Sequence, residues 1–199
     1  MAIFTIEGGV QLKGTLEPQG AKNEALQVMC ATLLTDQEVI IANVPEIRDV
    51  LNLMDLLRGI GAEITRLEKG RYRFSTVQIR EEYLHSKDFS LLAAGIRGSI
   101  MMLGPLLARL GHGYIPQPGG DKIGRRRVDT HFLGFQALGA IFNFDRENHR
   151  FSVKAAKLKG NYILMEEASV TGTANLIMAA VLAEGTTTLY NAACEPYVQ

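Results

Sequence analysis

Apolar helical patterns ending in a pair of aliphatic residues recur at Leu33-Leu34, Leu106-Leu107 and Val181-Leu182, 73 and 75 residues apart. A period of that length restricts the chain to folds assembled from copies of one supersecondary unit. Each pattern runs into a short stretch rich in β-formers, at 38–42, 113–116 and 186–190. Two amphipathic helices follow, at 49–60 and 129–138, each closed by Gly-Ala, and strand patterns at 72–77 and 150–153 end these units. Asn43 and Asn191, 148 residues apart, mark equivalent points of the first and third units. The expected unit is βαβαββ, present twice in full and once in part, an α/β (α+β) fold. Such a unit buries its apolar helix face only against its neighbours, so three of them should close around shared helices. An incomplete third unit leaves apolar surface open.

Composition narrows the function classes. With 47% hydrophobic residues among 199, the chain has material for a substantial core. Lys plus Arg and Asp plus Glu each number 21, so no basic surface for general nucleic-acid binding is expected. Glu7, Lys13 and Glu17 interrupt what a secretory segment would need to keep apolar, and the quiet run 168–183 is too short and polar for a membrane span. A cytoplasmic protein with no membrane association is expected. Cys30 lies in a helical pattern and Cys194 after a strand pattern, which fits reduced thiols, and no Cys and His cluster suggests zinc.

One segment stands apart from this even background. Pro118 to Asp129 places Lys122, Arg125, Arg126 and Arg127 among Gly119, Gly120 and Gly124, with Asp121 and Asp129 as carboxylates. Like charges gather where an anion or counter-charges hold them, and glycines permit close backbone approach to a ligand. Taken alone, the segment fits either an anion-holding loop or a solvated basic one. Lys22 beside a helix start fits phosphate binding, Asn23 fits an N-cap for a helix over 24–34, and Arg97 is a cation in a helix interior. His131 at a helix start fits a surface or capping residue.

Gly20-Ala21-Lys22-Asn23-Glu24-Ala25-Leu26, Gly95-Ile96-Arg97-Gly98-Ser99 with Leu103-Gly104-Pro105-Leu106, and Pro118-Gly119-Gly120 through Val128-Asp129 together resemble the UDP-N-acetylglucosamine 1-carboxyvinyltransferase family. Asn43-Val44-Pro45, Gly139-Ala140, Leu182-Ala183-Glu184-Gly185 and Asn191-Ala192-Ala193 extend the likeness along nearly the whole chain. The resemblance implies the N-terminal half of a two-domain enolpyruvyl transferase, an inside-out α/β barrel domain of βαβαββ units with the active site between domains. Residues 1–20 would pack with a second domain, residues 21–199 would form the truncated first domain, and the second catalytic domain would be absent. The sibling 3-phosphoshikimate 1-carboxyvinyltransferase is the weaker match, because it has a serine-rich segment where this chain reads Gly-Ala-Lys-Asn. A non-catalytic module that binds a nucleotide sugar or assembles as a homo-oligomer is the alternative of another class.

The implied reaction moves the enolpyruvyl group of phosphoenolpyruvate to the 3-hydroxyl of UDP-N-acetylglucosamine, at the entry to peptidoglycan synthesis, without metal or other cofactor. By resemblance, Lys22, Arg97 and Arg126 hold the phosphate of phosphoenolpyruvate, and Asn23 contacts the reacting centre. Arg126, Val128, Asp129, His131, Ser169, Val170 and Thr171 line the UDP-sugar pocket. Asp121 stands where the family usually has cysteine, which implies general-acid work at the enolpyruvyl methylene or assistance to product release, together with fosfomycin resistance. Its cationic neighbours favour the ionised carboxylate, which opposes the first of these roles. Arg127 replaces a common proline, implying a more flexible and cationic loop, and Glu167 replaces a frequent lysine near the UDP phosphates. The general base and the carboxylate clamp belong to the second domain, so this chain is expected to be inactive by itself.

Overall fold

The computed structural model describes residues 3–119 and 127–199. The first unit contributes α1 (Lys22–Ala31) with a 3-10 turn at Thr32–Leu34, β1 (Val39–Ile41), α2 (Arg48–Gly59), β2 (Glu63–Glu68) and β3 (Arg71–Ser75). The short α3 (Glu81–Leu84) and α4 (Lys87–Gly95) lead into a 3-10 helix, Arg97–Met102, which continues directly as α5 (Leu103–Leu110). Then come β4 (His112–Pro116), α6 (Asp129–Ala137), β5 (Ile141–Asp145) and β6 (Arg150–Lys154). The third unit supplies β7 (Tyr162–Leu164), α7 (Val170–Ala180) and β8 (Thr188–Tyr190).

The repeat expected from the helix spacing is present as topology. One sheet has the order β1-β3-β2 and the next β4-β6-β5, antiparallel throughout. Asn43 and Asn191 both take a left-handed conformation, φ 57° and 59°, at the turns that follow β1 and β8. The Gly-Ala closures of α2 and α6 share a positive φ at Gly61 and Gly139, a backbone that residues with a Cβ rarely adopt.

The leading strand of each unit departs from expectation. It exists in the third unit, where β7 pairs parallel with β8. Among the described residues, the first two units have none. Before the second unit, the Arg80 N–H donates to Ile60 O at 2.9 Å, so the segment's donor is tied to the end of α2 and the chain turns into α3. Residues 3–20 form no helix or strand and are almost wholly exposed, including Phe4, Ile6 and Leu12.

Helices occupy the interior and sheets the outside. Met29, Leu33, Leu53, Leu57, Leu106, Phe135 and Leu176 are completely buried in one contiguous core, each such side chain contributing about 1.5–3 kcal/mol by leaving water. Cys30 is buried among them, and burial alone pushes its thiol pKa far up, so it is packing material rather than a nucleophile. Val181, Leu182, Leu164 and Tyr190 of the third unit remain largely exposed. Among the described residues, no single helix is long and apolar enough to cross a membrane.

Helices α5 and α7 meet at Gly104, where a Cβ would collide with the backbone oxygen of Asn175. Gly104→Ala is therefore expected to cost about 1–3 kcal/mol through overpacking, read as a lower urea midpoint at unchanged m-value. An unaltered midpoint would show that the two helices do not meet so closely.

Candidate active site

Lys22 is the first residue of α1, Asp49 the second of α2, His131 the third of α6 and Thr171 the second of α7. All four line one cavity of about 160 Å³, together with Asn23 and Arg97, which begins its 3-10 helix. Four α-helices thus aim their N-termini at a single space. Their dipoles and first-turn N–H groups favour an anion there. At the N-cap positions Ala21, Ile47 and Val128 no side chain caps the helix, whereas Ser169 caps α7 by accepting from Gly172 N at 3.1 Å.

Helix α1 begins at Lys22, earlier than the capping reading of Asn23 required. Asn23 sits in the first turn, exposed toward the cavity, and is not the N-cap. Arg97 is likewise not in a helix interior: Ile96 is extended, and the turn it makes delivers Arg97 to the cavity edge. The Arg97 guanidinium donates to Arg127 O at 3.0 Å. Lys22 Nζ meets Asp49 Oδ2 at 2.9 Å, a partner that sequence reading did not supply because 27 residues separate the two.

His131 is neither a surface residue nor a cap, being only 2% exposed. Its Nδ1 lies 2.9 Å from Asn175 Nδ2 and its Nε2 3.3 Å from Thr171 Oγ1. Burial, reinforced by the charge of Arg97 and opposed by Asp129, pushes its pKa down to about 3, so the ring is neutral.

Arg127 changes the expected character of its segment. It does not add a loose cation, because its guanidinium donates to Asp129 Oδ1 at 2.9 Å and to Glu166 Oε2 at 3.0 Å. That hydrogen bonding holds the Asp129 carboxyl below its usual range and ties the start of α6 to the approach to α7. Val128 occupies the α6 N-cap position, while Ser169 and Val170 begin α7. Asp121 and Arg126 lie outside the described residues.

A second groove, of about 210 Å³, runs between α6, α7 and β7. Its walls include Leu133, Ala137, Ile163 and Leu176, with Glu166 as the sole charged side chain among the described residues, which suits it poorly to an anion. Among the described residues, no cluster of three His, Cys, Asp or Glu side chains is placed to bind a metal.

The family described as EPSP synthase (3-phosphoshikimate 1-carboxyvinyltransferase) matches residues 6–199. UDP-N-acetylglucosamine 1-carboxyvinyltransferase of Bacteroides fragilis is 53% identical over 199 residues, covering 100% of this chain and 46% of that relative. Its namesake from Porphyromonas gingivalis is 52% identical with the same coverage, and that from Treponema denticola 44% identical over 98% of this chain and 44% of the relative. The chain spans about half the length of the curated relatives it matches. Among solved structures, the enolpyruvyl transferase NikO from Streptomyces tendae superposes with a TM-score of 0.78 at 18% identity, over 96% of this chain and 44% of that one. EPSP synthase from Acinetobacter baumannii superposes with a TM-score of 0.67, also at 18% identity, over 92% of this chain and 41% of that one. The fold is that of an enolpyruvyl transferase.

The depressed pKa of His131 has a signature in stability. Because the unfolded ring takes up a proton near pH 6.5 and the folded ring only near 3, its contribution is complete above 6.5 and is lost as the pH falls toward 3. Between pH 6.5 and 4.5 the unfolding free energy should fall by about 1.4 kcal/mol per unit, and His131→Gln should flatten that slope. Parallel slopes for the two proteins in urea unfolding would show that His131 does not titrate in this way.

Proposed function

We propose that this chain, which belongs to the EPSP synthase (3-phosphoshikimate 1-carboxyvinyltransferase) family, forms one wall of an enolpyruvyl transferase acting on phosphoenolpyruvate and UDP-N-acetylglucosamine. The observation that carries this reading is the convergence of Lys22 and Arg97, 75 residues apart, on a cavity faced by four helix N-termini. Guanidinium and ammonium groups in a partly dry site suit a phosphate and its developing charge. UDP-N-acetylglucosamine is chosen over shikimate 3-phosphate because relatives 43–53% identical along this chain bear the corresponding name.

In the reaction, the sugar 3-hydroxyl adds to C2 of phosphoenolpyruvate as C3 takes a proton. The resulting tetrahedral adduct then loses that substituent's phosphate and a C3 proton, leaving an enol ether. Lys22, Arg97 and Arg126 hold the phosphate through both steps, and Asn23 orients the reacting carbon. His131, Val128, Asp129, Ser169, Val170 and Thr171 form the nucleotide-sugar side. Asp121 exchanges the proton at C3 or helps product leave. The base for the sugar hydroxyl and the clamp for the carboxylate come from the other wall, which the part of the relatives beyond this chain would supply. Residues 3–20, exposed here with their apolar side chains in water, suit a role against that wall. These substrates place the enzyme in the cytoplasm, at the start of peptidoglycan precursor synthesis.

Joining residues 1–199 to the remaining C-terminal part of the Bacteroides fragilis relative provides the test. The fusion should release phosphate from phosphoenolpyruvate only when UDP-N-acetylglucosamine is present, and Lys22→Ala or Arg97→Ala should lower kcat/KM by about a hundredfold or more. Release dependent on shikimate 3-phosphate, or none at all, would refute the assignment.

A carboxylate at position 121 is a poor nucleophile toward an epoxide, so the same fusion should keep its activity in stoichiometric fosfomycin, whereas Asp121→Cys should be inactivated. Inactivation of the unsubstituted fusion would show that Asp121 does not occupy the reactive loop position.

A further inference from the structure

Asn175 is completely buried, and its side chain joins three helical elements. Its Oδ1 accepts from Gly104 N at 2.8 Å, and its Nδ2 donates to Ile100 O at 2.9 Å. A backbone N–H can only donate and a backbone carbonyl can only accept, so these two partners dictate which way the amide faces. The second Nδ2 proton then points at His131 Nδ1, 2.9 Å away, and that nitrogen must carry a lone pair. In a neutral imidazole the proton therefore resides on Nε2. Nε2 faces Thr171 Oγ1 at 3.3 Å, and the hydroxyl receives this bond as an acceptor. Its own proton is left to donate, and Thr171 lines the cavity with Lys22 and Arg97.

We propose that Asn175 is a positioning residue that holds His131 as its Nε2–H tautomer, and that Thr171 in consequence presents its hydroxyl as a hydrogen-bond donor to a phosphate oxygen of the bound nucleotide sugar. The direction of every bond in the relay follows from the polarity of two backbone groups, Gly104 N and Ile100 O. A threonine facing a histidine free to change tautomer would alternate between donor and acceptor. Here the ring never takes its proton, which stays available for an oxyanion to accept. The phosphate end of the relay rests on the function proposed above; the tautomer does not.

Two measurements separate these ends. In the ligand-free full chain with nitrogen-15-labelled histidine, Nδ1 of His131 should resonate in the unprotonated range and Nε2 in the protonated range. Asn175→Asp, whose carboxylate accepts, should move the proton to Nδ1. A protonated Nδ1 in the unsubstituted chain overturns the relay. UDP-N-acetylglucosamine is then titrated calorimetrically into the fusion used above. Thr171→Val should weaken binding by about tenfold, the loss of one donor to a charged group, and Thr171→Ser should restore most of it. Asn175→Asp should weaken binding similarly, with little further loss when combined with Thr171→Val. Unchanged affinity in Thr171→Val, or independent losses in the double variant, overturns the relay. If the unsubstituted fusion binds no UDP-N-acetylglucosamine, the functional reading and the phosphate end fall together, while the spectrum still decides the tautomer.

Discussion

The packing of repeated helices against one another, with their sheets outside, is the constraint on which the molecule depends. A single strand-helix unit has no way to cover its apolar helix face, so α1, α5 and α7 bury Met29, Leu106 and Leu176 in a common interior. That arrangement also brings the starts of several helices to one region. The cavity is a by-product of how the repeats bury themselves, and the field of the helix starts around it comes from backbone direction before any side chain is considered.

Side chains then refine a field that the backbone has already created. Lys22 is held by Asp49 and Arg127 by Asp129 and Glu166, so the cations are kept in place by carboxylates instead of repelling one another. Surface ion pairs of this kind add little stability. Their value lies in geometry, because a cation already ordered loses less rotamer freedom when an anion arrives.

Two of the buried polar side chains, Asn175 and His131, are linked in one chain of bonds. Asn175 and His131 have their hydrogen-bonding groups engaged with partners across helices, and that full engagement is what makes a buried amide and imidazole tolerable. Gly104 fits the same account: its missing side chain admits the close approach of α7, and its N–H orients the Asn175 amide.

Much of this was readable in the order of residues. Spacing of the aliphatic pairs revealed the repeat, and Gly-Ala and the two asparagines marked its turns, because local backbone conformation and burial depend on nearby residues. Lys22, Asn23, Arg97 and the segment ending in Asp129 stood out as candidates by composition and resemblance. The missing leading strands, the burial of His131, the capture of Lys22 by Asp49 and the clamping of Arg127 were not readable, since each depends on which distant groups become neighbours. The sequence by itself determined the repeating unit and the kinds of side chain at its helix starts, since periodic burial is a local pattern. Only the tertiary structure decided that those starts face one cavity and in which direction its hydrogen bonds run, because polarity at a site is set by partners some 44 to 75 residues away.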